Sequence, residues 1–303
     1  MAGKQVTELD ALHSFTDDSL LPVHNGAGLK KGLLSQLANY LGTKFSNPNL
    51  LINPDFKINQ RGETSYTSAV AQTIKIVYSV DRWCLYGHSL TVNSDKSVTI
   101  TPTTYSDGAL IQNLETPVDG DITVQVYAVG VSGTATVSVG PSDGSSTTEI
   151  GTLKNGLNTF TFSKGIKRLV IRVKSGTLTL KYAKVEQGKV ATSFVVPNPA
   201  DELEKCKRFF EYINNSIAIP LIYGTANATN NQQYYIVDKI YKVEKRIKPT
   251  ISINKITDSG DAEINVGRTL DIDKDGILTI SFNNVISKFS LKLINIILDA
   301  EIY

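Results

Sequence analysis

Apolar and polar residues alternate along much of the chain between residues 49 and 197. A period of two is typical of half-buried β-strands. The alternation is clearest over residues 122–128, 136–139, 160–162, 168–173 and 177–182. In the last run Leu178, Leu180 and Tyr182 are expected on one face of the strand. Turn sequences such as Lys154-Asn155-Gly156 and Lys174-Ser175-Gly176 separate the runs. Residues 49–197 are therefore predicted to form an antiparallel β-sandwich of the jelly-roll type.

The segment before residue 49 has a helical pattern instead. Leucines recur there at spacings of three and four residues, which places them on one face of a short helix, and Gly42 stands where a C-terminal cap is expected. These leucines are Leu29, Leu33, Leu34, Leu37 and Leu41. An isolated short helix is marginal in water, so its apolar face needs a partner, either another chain or the rest of this one. Residues 1–48 are predicted to be an attachment segment.

The last third of the chain begins with helix signals and returns to strands. Asn198 is suited to the N-cap, Pro199 to the first helical position, and Asp201 and Glu202 to the positive end of the helix. Alternating apolar residues follow, and Asp275-Gly276 indicates a hairpin turn between two of the later strands. Residues 198–303 are predicted to form a short helix and a second small β-sandwich domain.

Composition excludes several functional classes. The chain has 303 residues, with 31 Lys and Arg against 29 Asp and Glu, a net charge of +2. This balance argues against a nucleic-acid partner, which requires a concentrated basic surface. Three histidines and two distant cysteines argue against a zinc module or a disulfide framework, so Cys84 and Cys206 are expected to be buried thiols. No signal peptide and no membrane span are evident, so a soluble chain without membrane insertion is expected.

Two short motifs resemble functional sites, but their context favours turns. Gly140-Pro141-Ser142-Asp143-Gly144 has the letters of a nucleophile elbow, although strand-like sequence follows it where a helix is required. Asp271 to Gly276 resembles the start of a calcium loop, but Phe282 occupies the position of the bidentate glutamate. A calcium site other than an EF-hand is kept as an alternative interpretation of this loop. We expect no catalytic residue, no metal ligand and no cofactor.

Aromatic residues beside amides are candidates for sugar binding. A ring face packs on sugar C–H groups while amides bond the hydroxyls, and the alternative is that the rings fill the cores. Trp83 is expected in the core. A polar loop followed by two tyrosines gives the predicted carbohydrate-binding residues, which are Asn231, Gln232, Gln233, Tyr234 and Tyr235.

Several segments resemble a known family, the bacteriophage tail-fibre and receptor-binding proteins. The resemblance lies in 49–62, which reads NLLINPDFKINQRG, in Val80-Asp81-Arg82-Trp83, and in 184–194, which contains Lys184-Val185-Glu186-Gln187-Gly188. Segments 201–210, 248–250 and 298–301 are also similar to that family. Asp81, Arg82 and Trp83 are expected to hold the fold through an Asp–Arg pair beside a buried indole.

The resemblance implies a non-enzymatic virion protein, a tail fibre or short tail appendage. Such a protein is expected to be a homotrimer that attaches to other virion tail proteins through its N-terminus and to a host cell-surface glycan through its distal domain. Its jelly roll is similar to a carbohydrate-binding module and serves either as a sugar site or as a spacer. Alternatives are a structural connector of the tail or head without receptor contact, a polysaccharide depolymerase, and a carbohydrate-binding module of a cellular enzyme.

Overall fold

The fold is mainly β, as the alternation predicts. The computed structural model describes residues 19–24, 29–42, 46–70, 73–74, 76–103, 108–141, 146–213, 217–220, 233–237, 240–241, 243–258, 268–273, 276–282 and 290–301. Antiparallel sheets make up most of these ranges, which confirms the predicted fold class. No helix in this part of the chain combines the length and the apolar character needed to cross a membrane.

A hairpin and a helix form the described part of the first 48 residues. They are β1 (Leu20–His24), β2 (Leu29–Leu33) and α1 (Leu34–Gly42). The helix ends at the predicted Gly42, but the prediction that Leu29 and Leu33 belong to it is wrong, because both lie in β2 and pair with β1. Gly32 lies between them in the same strand and disfavours a continuous helix, while β1 supplies hydrogen-bond partners. Of the predicted attachment leucines, Leu33, Leu37 and Leu41 are exposed.

Two six-stranded sheets make up the sandwich. The first, called the platform sheet, contains in spatial order β14 (Gly156–Phe162), β11 (Ile122–Ser132), β16 (Thr177–Gln187), β9 (Val98–Pro102), β8 (His88–Val92) and β3 (Ser65–Thr67). The second, called the opposite sheet, contains β13 (Thr148–Thr152), β12 (Ala135–Pro141), β15 (Ile166–Val173), β10 (Ala109–Val118), β7 (Cys84–Tyr86) and β6 (Val77–Tyr78). Between them lies a core to which Val124, Leu169 and Trp83 belong. A separate short pair is β4 (Ala69–Val70) with β5 (Thr73–Ile74).

Both predicted turns connect one sheet to the other. Lys154-Asn155 leads from β13 into β14, and Lys174-Ser175-Gly176 leads from β15 to β16. Gly176 has a φ of +70°, and a Cβ atom there would lie 1.7 Å from the carbonyl oxygen of Ser132. A side chain at this turn is therefore excluded by both conformation and space.

The region after residue 197 contains a helix and two further sheets. The helix α2 (Pro199–Lys207) begins as predicted, since the Asn198 side chain accepts a hydrogen bond from the Ala200 N–H. One sheet contains β17 (Phe210–Ile213), β18 (Ile217–Pro220), β20 (Thr250–Asp258) and β23 (Ser290–Asp299), and all three others pair with β23. The other contains β19 (Gln233–Val237), β22 (Leu278–Phe282) and β21 (Arg268–Ile272).

These last two sheets share one hydrophobic core. Ile256 and Ile296 of the first sheet pack in the same cluster as Ile272 and Leu278 of the second. The strands β21 and β22 pair antiparallel, as the hairpin prediction requires, while Asp275 of the predicted turn lies outside the described residues. This arrangement agrees with a second small β-sandwich. The boundaries of the three predicted domains, 1–48, 49–197 and 198–303, stay predictions.

Candidate functional site

Three stacked aromatic rings lie on the outer face of the platform sheet. Tyr127 of β11 and Tyr182 of β16 are direct cross-strand partners, and their ring centroids are 5.3 Å apart at an interplanar angle of 12°. Phe194 stacks on Tyr182 with a centroid distance of 4.0 Å and an angle of 6°. Such offset parallel stacks add to the stability that burial alone provides. We call Tyr127, Tyr182 and Phe194 the aromatic column.

Tyr182 faces outward because β16 contains a β-bulge. The register passes from the Tyr127–Tyr182 pair to the Ala128–Leu180 pair, which leaves Lys181 as an extra residue. A bulge of this kind reverses the phase of the side chains beyond it. Leu178 and Leu180 point into the core, whereas Tyr182 points out. The sequence-based prediction that Tyr182 shares their face is therefore wrong.

Phe194 reaches the column because the chain doubles back over the sheet after β16. Gly188 has a φ of +105°, and its N–H donates to the carbonyl oxygen of Asp121 at 2.8 Å. Residues 191–194 then run across the outer face of β16. Thr192 is held there by Glu186, whose carboxylate accepts hydrogen bonds from the Thr192 N–H at 2.8 Å and from its hydroxyl.

A buried ion pair fixes this returning segment. Lys184 and Glu186 lie on the outer face of β16, and their charged atoms are 3.2 Å apart. The Lys184 Nζ also donates to the carbonyl oxygens of Thr192 and Ser193 at 3.1 and 3.0 Å, and to the Ser46 hydroxyl at 3.2 Å. Because Ser46 precedes the sandwich, one ammonium group ties the entering and returning segments together. We call Lys184, Glu186, Thr192, Ser193 and Ser46 the lysine clasp.

The returning segment encloses a cleft against the platform sheet. The cleft has a volume of about 470 Å³ and is lined by Gln125, Leu157, Thr159, Tyr182 and residues 191–194. This volume lies within the range of about 300–1,000 Å³ typical of ligand pockets. Leu157 is 53 % exposed and supplies apolar surface at the rim.

The cleft also contains a side-chain amide. Gln125 is 4 % exposed and lines the cleft. A glutamine amide has two N–H donors and a carbonyl oxygen that accepts. The Gln125 amide can therefore donate to and accept from a ligand in the cleft.

The tyrosine at the centre of the column stays protonated. Burial raises the pKa of Tyr182 above its usual value of 10.0, and the neighbouring Tyr127 acts in the same direction. The hydroxyl is therefore neutral at physiological pH and can both donate and accept a hydrogen bond. No group of three or more His, Cys, Asp or Glu residues suited to a metal ion occurs among the described residues.

Three of the five carbohydrate-binding residues predicted from the sequence lie in a sheet other than the platform sheet. Gln233, Tyr234 and Tyr235 begin β19, where Tyr235 pairs with Ile280 of β22. Asn231 and Gln232 lie outside the described residues, as does the serine of the elbow-like motif, Ser142. The site predicted at 231–235 therefore stays a prediction.

The Asp81-Arg82-Trp83 segment is buried and holds the fold. Trp83 is fully buried, and its Nε1–H donates to the carbonyl oxygen of Asn53 at 2.8 Å. The expected Asp81–Arg82 pair is replaced by two others. Arg82 pairs with Glu301 at 2.6 Å, and Arg61 lies 3.7 Å from Asp81. These contacts join the sandwich to the end of the C-terminal region and leave the segment out of reach of a sugar.

The calcium-like motif agrees better with its hairpin interpretation. Asp271 lies in β21 and forms an exposed ion pair with Lys248 at 2.9 Å. The Asp273 carboxylate accepts a hydrogen bond from the Ile277 N–H at 2.9 Å. The Asp271 carboxylate therefore already has Lys248 as a partner, and the Asp273 carboxylate has a partner within the hairpin.

Comparison with known proteins gives similarity only at the level of structure. No family model matches the sequence, and no curated protein matches it. One mutant of CBM29-2, a family 29 carbohydrate-binding module, is 18 % identical over 38 % of this chain and 86 % of its own, with a TM-score of 0.29. Mutants complexed with mannohexaose and with cellulohexaose are each 15 % identical over 50 % of this chain and all of theirs, with TM-scores of 0.31 and 0.30. Similarity at this level identifies neither a family nor a ligand for the chain.

Proposed function

We propose that this chain is a non-catalytic glycan-binding protein and that the cleft beside the aromatic column holds the glycan. The observation that carries the proposal is that the stacked rings of Tyr182 and Phe194 and the side-chain amide of Gln125 line one cleft. A sugar ring needs both kinds of group, apolar surface for its C–H face and hydrogen-bond partners for its hydroxyls.

The cleft can bind a sugar without reorganising. Its aromatic wall is already ordered by stacking, and the returning segment is fixed by the lysine clasp. Preorganisation of this kind lowers the entropic cost of binding. Thr159 at the open side is exposed and offers a further hydroxyl to the ligand.

We further propose that the protein belongs to a bacteriophage virion, as a tail fibre or short tail appendage that recognises a host-surface glycan. The sequence resemblance supports this role, and so does the exposed apolar surface of α1, where Tyr40 is 59 % exposed and Leu37 and Leu41 are exposed beside it. In this proposal the N-terminal segment attaches to other tail proteins. A homotrimer would present three clefts together and gain avidity from weak individual sites.

Binding of purified full-length protein to immobilised bacterial surface polysaccharides tests the glycan proposal. Phe194→Ala is expected to weaken binding about tenfold, through loss of one aromatic contact. Gln125→Ala removes the amide that lines the cleft and is expected to weaken binding as well. Tyr40→Ala removes an exposed aromatic ring outside the cleft and serves as the matched control.

The alternatives give different results in the same assay. A structural connector would bind no polysaccharide. A depolymerase would release reducing ends from the polysaccharide it binds. Binding that is lost in Tyr234→Ala and kept in Phe194→Ala would move the site to the predicted residues 231–235.

Light scattering after size exclusion tests the assembly. A homotrimer is expected to have about three times the chain mass of 33.0 kDa. A monomer at all concentrations would contradict the proposed trimer in solution.

A further inference from the structure

A second hollow adjoins the cleft on the outer face of the platform sheet. Its volume is about 250 Å³, and Tyr182 and Phe194 line it as they line the cleft. The two hollows therefore share the wall formed by these two stacked rings. A volume below about 300 Å³ is small for a drug-sized ligand and suits a single sugar unit.

The second hollow differs from the cleft in carrying charges. Three lysines line it, Lys57, Lys96 and Lys181, against two aspartates, Asp55 and Asp95. The hollow therefore has one positive charge in excess. In the cleft, by contrast, the lining residues carry no charged side chain.

Both carboxylates are already engaged, while one ammonium group is free. Asp55 lies 2.7 Å from Lys57. Asp95 accepts hydrogen bonds from the N–H and hydroxyl of Ser97 at 3.1 and 2.5 Å, and it lies 3.9 Å from Lys181. Among the described residues, no carboxylate lies within ion-pair distance of Lys96.

The backbone of Lys96 is held in a turn. Lys96 has a φ of +67°, and its N–H donates to the carbonyl oxygen of Asn93 at 3.0 Å in the turn between β8 and β9. A non-glycine residue in this conformation is uncommon and is maintained by the surrounding turn. The turn therefore places Lys96 among the residues that line the hollow.

We propose that the second hollow binds an anionic sugar unit of the same glycan that occupies the cleft. This inference rests on the proposed function and specifies its ligand class: an oligosaccharide whose successive units lie on either side of Phe194, one of them carrying a carboxylate or a phosphate. Lys96 and Lys181 would face that anion, and the ring of Phe194 would separate the charged unit from its neutral neighbour.

The test uses full-length protein on an array of bacterial surface polysaccharides. Each acidic polysaccharide is printed beside its carboxyl-reduced or dephosphorylated form, and neutral polysaccharides complete the array. We expect the acidic forms to be preferred over their neutralised counterparts, with binding that weakens as salt rises from about 0.05 to 0.5 M. Comparison with the carboxyl-reduced and the dephosphorylated polysaccharides shows whether the hollow binds a carboxylate or a phosphate.

Two variants test whether the preference for acidic polysaccharides arises at the second hollow. Lys96→Gln and Lys181→Gln are each expected to weaken binding of the acidic form about two- to fivefold at low salt, since the pairs would be solvent-exposed. Lys174→Gln removes the same charge from an exposed pair with Glu149 and is the control. Equal loss in this control would assign the effect to net charge and overturn the proposal.

The remaining outcomes separate this inference from the proposed function. Binding that depends on Phe194 but is equal for acidic and neutralised forms would overturn the anionic site and leave the glycan-binding proposal standing. Absence of binding to every polysaccharide would overturn both.

Discussion

Breaking the buried ion pair between Lys184 and Glu186 should destabilise the protein strongly. Both side chains are at most 1 % exposed, and the Lys184 Nζ has five described oxygen partners, including the Glu186 carboxylate. Lys184→Met leaves the Glu186 carboxylate buried without a cation. Removal of one partner of such a pair typically costs about 3–5 kcal/mol. We expect a loss of this size in the free energy of unfolding, measured by urea titration of the full chain.

An exposed pair on the opposite sheet gives the matched control. Lys174 and Glu149 are 2.9 Å apart, a little closer than the buried pair, but their side chains are 48 % and 45 % exposed. Lys174→Met is expected to cost at most about 1 kcal/mol, because solvent screens the pair. The double variant Lys184→Met/Glu186→Gln removes both charges and should lose less than the sum of the two single changes.

The result for Lys184→Met decides whether the lysine clasp stabilises the fold. A loss no larger than that of the Lys174 control would refute the reasoning. A large loss would also indicate that the returning segment depends on this one ammonium group. Binding of glycan by Lys184→Met, measured under conditions where it is folded, should then be weaker than binding by the control.

Three further predictions concern buried groups. Burial raises the pKa of Glu301 above its usual value of 4.5, so the native state binds this proton more strongly than the unfolded state does. The contribution of Glu301 to the free energy of unfolding therefore falls as the pH rises from 4.5 through the native pKa. The stability of Glu301→Gln relative to the wild type should therefore rise over that interval, and urea titrations at several pH values showing a constant difference would contradict it. Cys84 and Cys206 are free and buried, and burial raises the pKa of the Cys84 thiol to about 12. Neither thiol should therefore react with a thiol reagent before the protein unfolds. Prompt labelling of the native protein would contradict this prediction. The emission of fully buried Trp83 should not change on glycan binding, whereas a shift at saturation would place the ligand near the core.

Local sequence rules predicted the elements well where one pattern acts alone. The alternation over 122–128 became β11 with Ile122, Val124 and Val126 in the core. Asn198 and Pro199 begin α2 as expected. In both cases neighbouring residues specify the conformation, so the sequence pattern suffices.

The predictions failed where distant segments change the local outcome. Leu29 and Leu33 have helical spacing, but pairing with β1 makes their segment a strand. Tyr182 continues the alternation of Leu178 and Leu180, but a bulge at Lys181 turns it outward. The bulge changes the phase of the core residues only beyond it, at Ala183 and Val185, so the run that ends at Tyr182 does not by itself indicate the aromatic column.

The lysine clasp was also beyond the reach of sequence patterns. Lys184 and Glu186 have the spacing of two solvent-facing residues on a strand, and charged residues there are usually exposed. They are buried because residues 191–194 return across them and Ser46 approaches from a segment 138 positions away. The structure thus gives a physical role to Lys184, Glu186 and Thr192.

A crystal structure of the full chain with the oligosaccharide selected on the array tests the central claim most directly. We predict a sugar unit in the cleft, in contact with Phe194 and hydrogen-bonded to the Gln125 amide. A glycan bound elsewhere, such as at residues 231–235, with the cleft left empty, would contradict the account.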